Sequence, residues 1–114
     1  MFKILGIDHI VLRTAEPHKL VSFYTDILGC HIERQLPDDV GLIQLRAGRA
    51  LIDIVPVDSE LGRKGGGAPT DQNNNLDHLC LQIETKNLDD VLTHLNQHQV
   101  PIGEVAERYG ATGF

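Results

Sequence analysis

Cysteine is scarce in this sequence, with two residues among 114. Cys30 and Cys80 have neither the density of a disulfide scaffold nor the spacing of a cysteine zinc site. We therefore expect two small buried thiols in a reducing compartment rather than a bridge, and a cytoplasmic location.

Basic residues and long apolar runs are also few. Ten Lys and Arg stand against sixteen Asp and Glu, giving a net charge of −6. The closest approach to a basic cluster is Arg63-Lys64, so nucleic acid is not expected as a partner. No apolar run approaches the roughly 18 residues of a membrane span, and no basic-then-apolar leader opens the chain, so no membrane partner is expected. The length predicts one domain with a modest core, to which a second subunit could add.

The sequence does contain a repeated Asp-His motif. Asp8-His9 opens one apolar run, and Asp77-His78 opens another 69 positions later. An interval this long, present only twice, indicates a duplicated supersecondary unit rather than a solenoid array. Within residues 4–14 the imperfect alternation predicts a strand that carries His9 and Arg13 on the same face.

The residues that follow the first copy of the motif have the patterns of one helix and three strands. A helix is predicted between Pro17 and Gly29, because apolar side chains recur at helical spacing: Leu20, Phe23, Tyr24, Ile27 and Leu28. Three strand-like runs follow, at residues 30–36, 40–47 and 49–57, separated by short turns. Module one, residues 1–57, therefore reads β-α-β-β-β.

The remaining residues predict a linker and an incomplete second module within the same domain. Residues 58–75 are rich in glycine and asparagine and have hardly an apolar side chain, as a mobile linker would. Module two, residues 76–114, is predicted to contain a strand at 76–84, a helix capped by Asn87 and a strand at 100–105. By the repeat interval the counterpart of Asp53 would fall near position ~122, so about two strands are expected to be missing.

Two histidines and one aspartate are the candidate metal ligands. His9 and His78 hold equivalent places on related strands, so they would face each other across a cup if the modules pair about a pseudo-twofold axis. Asp53 is a lone carboxylate in a β-branched run, and burial of its charge calls for a metal, a cation or backbone donors. Each histidine taken singly could instead be a core or rim residue.

Three further side chains have weaker patterns. Arg13 could present its guanidinium to a carboxylate or phosphate near the metal, or it could pair with a nearby acid. His94 and His98 stand four residues apart on the second predicted helix, a spacing that can bind metal. No carboxylate lies between them as in H-E-x-x-H, so a solvated helix face is the expected role.

Four stretches together match a known pattern: Asp8-His9-Ile10, Phe23-Tyr24 followed by Leu28-Gly29, the strand around Asp53, and Leu76-Asp77-His78. They resemble the vicinal oxygen chelate superfamily, which includes glyoxalase I, bleomycin resistance proteins and extradiol dioxygenases, and within it a glyoxalase-like bacterial branch. The resemblance implies an α+β fold of paired βαβββ modules forming a cup around a divalent metal, often in a homodimer.

The same resemblance carries roles onto particular residues. It makes His9, His78 and Asp53 metal ligands, with a fourth ligand, a Glu, expected beyond Phe114. Arg13 matches the arginine that holds a glutathione carboxylate in glyoxalase I, whereas Val57 stands where that enzyme often has a helpful Asn. Asp53 is one methylene shorter than the glutamate of that enzyme.

The function implied is a glyoxalase-like lyase or isomerase that acts on a small substrate with vicinal oxygens. A divalent ion (Ni, Zn, Mn, Co or Fe) would act as Lewis acid, and a carboxylate, Asp53 or the missing Glu, would move the proton. One alternative is an Fe(II) dioxygenase with Asp53 as a bystander. Another is a metal-free small-molecule binding module, as in drug-sequestering resistance proteins.

Overall fold

The computed structural model describes all residues, Met1–Phe114, and divides them into two compact units, Met1–Asp77 and His78–Phe114. The first unit contains, in chain order, β1 (His9–Thr14), α1 (Pro17–Ser22), a π-helical turn (Phe23–Ile27), β2 (His31–Gln35), β3 (Ile43–Ala47), β4 (Ala50–Pro56) and α2 (Glu60–Arg63). The second contains α3 (Leu88–Gln97), β5 (Ala106–Arg108) and β6 (Ala111–Gly113). No helix has both the length and the apolar character required to cross a membrane.

The first unit is the predicted β-α-β-β-β module. Its four strands form one sheet in the order β1-β4-β3-β2, with β1 parallel to β4 and the other pairs antiparallel. The first strand is shorter than the predicted 4–14. It begins at His9, which is paired with Leu51, because the partner strand begins only at Ala50 after the turn at Gly48.

The core lies between one face of this sheet and the helix. The buried cluster consists of Tyr24, Leu45, Ile52 and Ile54, and Ile10 and Leu12 pack against it. Because strand side chains alternate between faces, seating Ile10 and Leu12 in the core leaves His9, Val11 and Arg13 on the opposite face. The predicted sharing of one face by His9 and Arg13 is confirmed.

The helix has the predicted beginning and end, and a wider turn between them. Pro17 occupies its first turn, where a missing N–H costs nothing. The Leu28 N–H then donates to the Phe23 carbonyl at 3.2 Å, a bond across five residues that defines the π turn. Gly29 ends the helix with a φ of +78°, a backbone conformation that glycine adopts without strain.

The segment predicted to be a linker begins with a helical turn that the composition did not indicate. Ser59 is buried and caps α2: its Oγ accepts from the Gly62 N–H at 3.1 Å and donates to the Pro56 carbonyl at 2.7 Å. This hydrogen bonding orders residues that bury few apolar atoms. Residues 64–75 contain neither helix nor strand.

Both strands predicted in the second module are wrong. Residues 76–84 have no strand assignment and are exposed, Cys80 included, so the expected burial of that thiol is wrong too. A strand needs a partner in a sheet, as β1 has β4, and no strand is paired with residues 76–84. A strand at 100–105 is disfavoured by Pro101, which has no N–H to donate to a ladder. The hairpin is instead β5–β6, turning at Tyr109 and Gly110, both with positive φ.

The C-terminus of α3 carries a strained residue that substitution should relieve. Gln99 has a φ of 58°, its N–H donates to the Asn96 carbonyl at 3.0 Å, and the Val100 N–H donates to the Leu95 carbonyl at 3.0 Å. These are the two bonds of a Schellman motif, whose left-handed position favours glycine. Gln99→Gly should therefore stabilise the second unit by about 1 kcal/mol.

Urea unfolding followed by far-ultraviolet circular dichroism measures this change. The matched control is Gln97→Gly, at the last residue of α3, which should lose up to about 1 kcal/mol. A loss of stability in Gln99→Gly as well would show that the positive φ is absent in solution.

Candidate functional site

The sheet face opposite the core, called the polar face below, carries His9, Arg13, Gln44 and Asp53. Val11 is paired with Asp53, and Gln44 is paired with Asp53 from the other side. His9 lies two residues before Val11 on the same face, so its Cα is about 8 Å from that of Asp53 by standard strand spacing. Imidazole and carboxylate side chains at that separation can reach one common ion.

Asp53 is buried with an unsatisfied oxygen. Its residue is 3% exposed; Oδ2 accepts from Gln44 Nε2 at 3.3 Å, and Oδ1 has no hydrogen-bond partner. Leaving a buried carboxylate oxygen unpaired costs about 1–3 kcal/mol or more. Such a group persists where a function requires it, and an unpaired oxygen beside an imidazole fits a divalent cation.

The imidazole of His9 is held by its neighbour in sequence. Its Nδ1 lies 3.1 Å from Asp8 Oδ1, and the His9 side chain is 46% exposed. This hydrogen bond is the main cause of a raised His9 pKa, opposed by desolvation, and the negative charge of Asp53 raises the pKa further. With Nδ1 bonded to a carboxylate, Nε2 is the nitrogen left for a ligand.

Replacing Asp8 should lower the pKa of His9. In Asp8→Asn the main cause of the shift is lost, so the pKa should fall toward 6.5, the ordinary value. A raised pKa of His9 in the folded state stabilises the fold at pH values below 6.5, and this contribution is lost as the pH rises through the folded-state pKa. Asp8→Asn should therefore also lower the free energy of unfolding at acidic pH and leave it unchanged at alkaline pH.

Titration of the His9 ring protons by nuclear magnetic resonance measures the pKa directly. Asp26→Asn, an exposed aspartate on the π turn, is the control and should leave His9 unaffected. An unchanged His9 pKa in Asp8→Asn would contradict the hydrogen bond.

Arg13 is engaged by the glycine-rich segment, which the sequence did not predict. Its Nε and Nη2 donate to the Gly62 carbonyl at 3.1 and 2.8 Å, Nη2 donates to Gly66 at 2.6 Å, and Nη1 donates to Gly67 at 3.1 Å. Four bonds occupy most of the five N–H donors of a guanidinium. The neighbouring acid that was the alternative partner is replaced by backbone carbonyls.

Gly65 makes this arrangement possible, which gives a prediction. A Cβ at Gly65 would overlap the Nε of Arg13, and the long side chain moves more easily than the backbone. Gly65→Ala should therefore displace the guanidinium from its carbonyls and cost about 1 kcal/mol. In an Arg13→Ala background the same change should cost under about 0.5 kcal/mol, since the clash is gone.

A double-mutant cycle in urea measures this coupling. The matched control is Gly67→Ala, because the methyl group that it adds would meet no neighbouring atom, and it should cost the same with or without Arg13. Equal costs for Gly65→Ala in both backgrounds would contradict the contact.

The third predicted ligand belongs to the other unit. His78 is the first residue of the second unit, and the structure contains no group of three or more His, Cys, Asp or Glu side chains arranged to hold a metal. The first unit places His9 and Asp53 on the same face of its sheet, and the ligand role of His78 remains a prediction.

A cavity of about 370 Å³ lies away from these residues. It is bordered by α1 and by the connection between β2 and β3, and its lining includes His18, Val21, Leu36, Asp38, Leu42 and Pro56. Neither His9 nor Asp53 lines it, so it is separate from the polar face described above.

Two residues of the polar face were missed by the sequence interpretation. Gln44 positions Asp53, and Arg46 forms an ion pair with Glu33 that lowers the pKa of that carboxyl. The signal was present: Ile43, Leu45 and Ala47 alternate with Gln44 and Arg46, which puts the two polar side chains on the face away from the core.

Comparison with known proteins gives one family. The sequence profile of the Glyoxalase/Bleomycin resistance protein/Dioxygenase superfamily matches residues 6–114. No curated protein matches the chain.

Several solved structures share the fold. An integron cassette protein from the mobile metagenome of V. cholerae is 27% identical, with 97% of this chain and 81% of that chain covered and a TM-score of 0.70. A lactoylglutathione lyase from Agrobacterium tumefaciens is 17% identical, with 93% and 79% covered and a TM-score of 0.66. A virulence protein from Salmonella typhimurium is 22% identical, with 96% and 82% covered and a TM-score of 0.65. The last two likenesses show the fold alone.

Proposed function

Since this chain belongs to the Glyoxalase/Bleomycin resistance protein/Dioxygenase superfamily, we propose that it is a divalent-metal-dependent lyase or isomerase acting on a small substrate with vicinal oxygens. The observation that carries the proposal is the buried Asp53 with its unpartnered Oδ1, on the sheet face shared with His9. The superfamily includes glyoxalases and dioxygenases, and a lactoylglutathione lyase has the same fold.

The ion would be held by His9 through Nε2 and by Asp53 through Oδ1. Divalent ions of the Ni, Zn, Mn, Co or Fe type accept this mixture of imidazole and carboxylate. When bound, the ion supplies Lewis acidity toward an oxygen of the substrate.

The residues of this chain then have separate tasks. Gln44 holds Oδ2 of Asp53 and so fixes the direction of Oδ1. Asp8 holds Nδ1 of His9 and so fixes the ring. Asp53 is also proposed as the carboxylate that takes and returns the proton.

Arg13 is proposed to bind an anionic group of the substrate. A carboxylate would have to replace the carbonyls of Gly62, Gly66 and Gly67, and it is the stronger acceptor because its bonds to a guanidinium are charge-assisted. Substrate binding would thereby release the glycine-rich segment. Arg13→Lys should raise KM more than it lowers kcat, because a lysine cannot reproduce the planar fork.

The experiment begins with chelator-treated protein and adds back Ni²⁺, Co²⁺, Zn²⁺, Mn²⁺ or Fe²⁺ one at a time. Glutathione with a 2-oxoaldehyde is the probe for the lyase reaction, and a catechol with oxygen uptake is the probe for a dioxygenase. We expect metal-dependent turnover of the first, lost in His9→Ala and retained in the control His18→Ala.

Other outcomes decide against the proposal. Activity restored only by Fe²⁺ with oxygen consumption would replace it with the dioxygenase. Tight binding of a small molecule that is equal with and without metal, and without turnover, would replace it with the binding module.

We also propose a homodimer in the cytoplasm. Apolar side chains are exposed along the N-terminal segment, namely Phe2, Ile4, Leu5 and Ile7, and again at Leu76, Leu79, Leu81 and Ile83. Extended segments that expose apolar side chains favour association with another chain. Sedimentation velocity should give twice the mass of 12.6 kDa, and a monomer at all concentrations would contradict the dimer.

A further inference from the structure

The second unit contains a pair of histidines in contact on one helix. His94 and His98 are four residues apart in sequence, at the C-terminal end of α3, and both are exposed. Their ring centroids lie 4.7 Å apart with an angle of 62° between the ring planes. Residues at this spacing lie one above the other on the same strip of a helix.

The separation of the rings is compatible with two imidazoles on one metal ion. With a metal–nitrogen bond of about 2.0–2.1 Å, two imidazoles on one ion have centroids about 4.5 Å apart at right angles and about 5.2 Å apart at a tetrahedral angle. The observed 4.7 Å falls between these values, so the separation of the rings allows both to bind one ion once rotation about their side-chain bonds turns a nitrogen of each toward it.

The surroundings favour a cation at this place. The C-terminus of a helix carries partial negative charge from its unpaired carbonyls, and His94 and His98 are in or just after the last turn. Asp90 lies four residues before His94 on the same strip and adds a negative charge. The Schellman motif at Gln99 and Val100 fixes the backbone at His98, so the pair loses little freedom when it binds.

We propose that His94 and His98 form a surface site for a divalent transition-metal ion, bound by two imidazole nitrogens with the remaining positions open to water. By the general order of affinities, Cu²⁺ binds most tightly and Ni²⁺ and Zn²⁺ less so. The site uses no residue of the proposed catalytic centre and lies on α3 and its C-cap residue, so either can exist without the other.

The test measures Cu²⁺ binding to the full chain by equilibrium dialysis, with Cu²⁺ as the only added metal. Three proteins are compared: the unaltered chain, His98→Ala, and the double variant Asn96→His with His98→Asn. The double variant keeps two histidines but places them two residues apart, where they do not face each other. His18→Ala, on α1, is the control for loss of a histidine elsewhere.

We expect the unaltered chain and His18→Ala to bind one more equivalent of Cu²⁺ than the other two. Electron paramagnetic resonance of that equivalent should show two coupled imidazole nitrogens in the unaltered chain. Equal stoichiometry in all four proteins, with circular dichroism showing α3 intact, would overturn the proposal. Loss of this Cu²⁺ equivalent in His98→Ala, together with unchanged metal-dependent turnover, would show that the site on the helix is distinct from the catalytic centre.

Discussion

Asp53→Val is expected to stabilise the metal-free protein by about 1–3 kcal/mol and to remove its stabilisation by divalent metal. The substitution replaces a carboxylate that is 3% exposed and has an unpartnered oxygen by a side chain that suits a strand and has no polar atoms. It lies on β4 beside Val11 of β1, another apolar residue. Gln44, which is partly exposed, loses its acceptor but can bond to water.

The stability gain and the functional loss have the same cause. A buried polar group without a partner weakens the fold and is kept when a ligand needs it. Urea unfolding with and without excess Ni²⁺, in a background that carries His94→Ala and His98→Ala and so lacks the helix site, measures both effects. His18→Ala should keep the metal response, and a loss of more than about 1 kcal/mol in metal-free Asp53→Val would show that the carboxylate stabilises the fold by itself.

Leu45→Ala is expected to destabilise the first unit by about 2–5 kcal/mol. Leu45 is 0% exposed and lies at the centre of the sheet on β3, between the helix residue Tyr24 and the β4 residues Ile52 and Ile54. Removing three buried carbon atoms leaves a cavity that β3, paired on both sides, cannot close.

The two tyrosines allow this loss to be assigned to one unit. Tyr24 is buried in the first unit, whereas Tyr109 belongs to the second, so tyrosine fluorescence in a Tyr109→Phe background follows the first unit alone. The matched control is Ile32→Ala on the neighbouring strand, where the residue is 47% exposed, and it should lose under about 1 kcal/mol. Equal losses at the two positions would place the core elsewhere.

Much of the first unit could be predicted from the sequence because its signals are local. Alternation in β1 and β3 separates the core face from the polar face, and the helical spacing from Leu20 to Leu28 identifies the helix. The face shared by His9 and Asp53 follows from parity alone once β1 and β4 are known to pair in register.

Errors arise where structure depends on partners that sequence patterns do not show. Residues 76–84 have the alternation of a strand but no ladder partner in this chain, and a strand requires one. The helix α2 depends on the hydrogen bonds of Ser59, a single residue within a glycine-rich stretch. Arg13 is held by carbonyls of Gly62, Gly66 and Gly67, about 50 residues away in sequence, which no local pattern indicates.

The most direct test of the metal centre is the affinity of Ni²⁺ for the chain measured by isothermal titration calorimetry in a background that carries His94→Ala and His98→Ala. This background removes the helix site, so one remaining equivalent reports the ion at His9 and Asp53. We predict one bound Ni²⁺ per chain, lost on adding His9→Ala or Asp53→Val and retained on adding His18→Ala. Binding that is unchanged by His9→Ala and by Asp53→Val would contradict the assignment of these two residues as ligands.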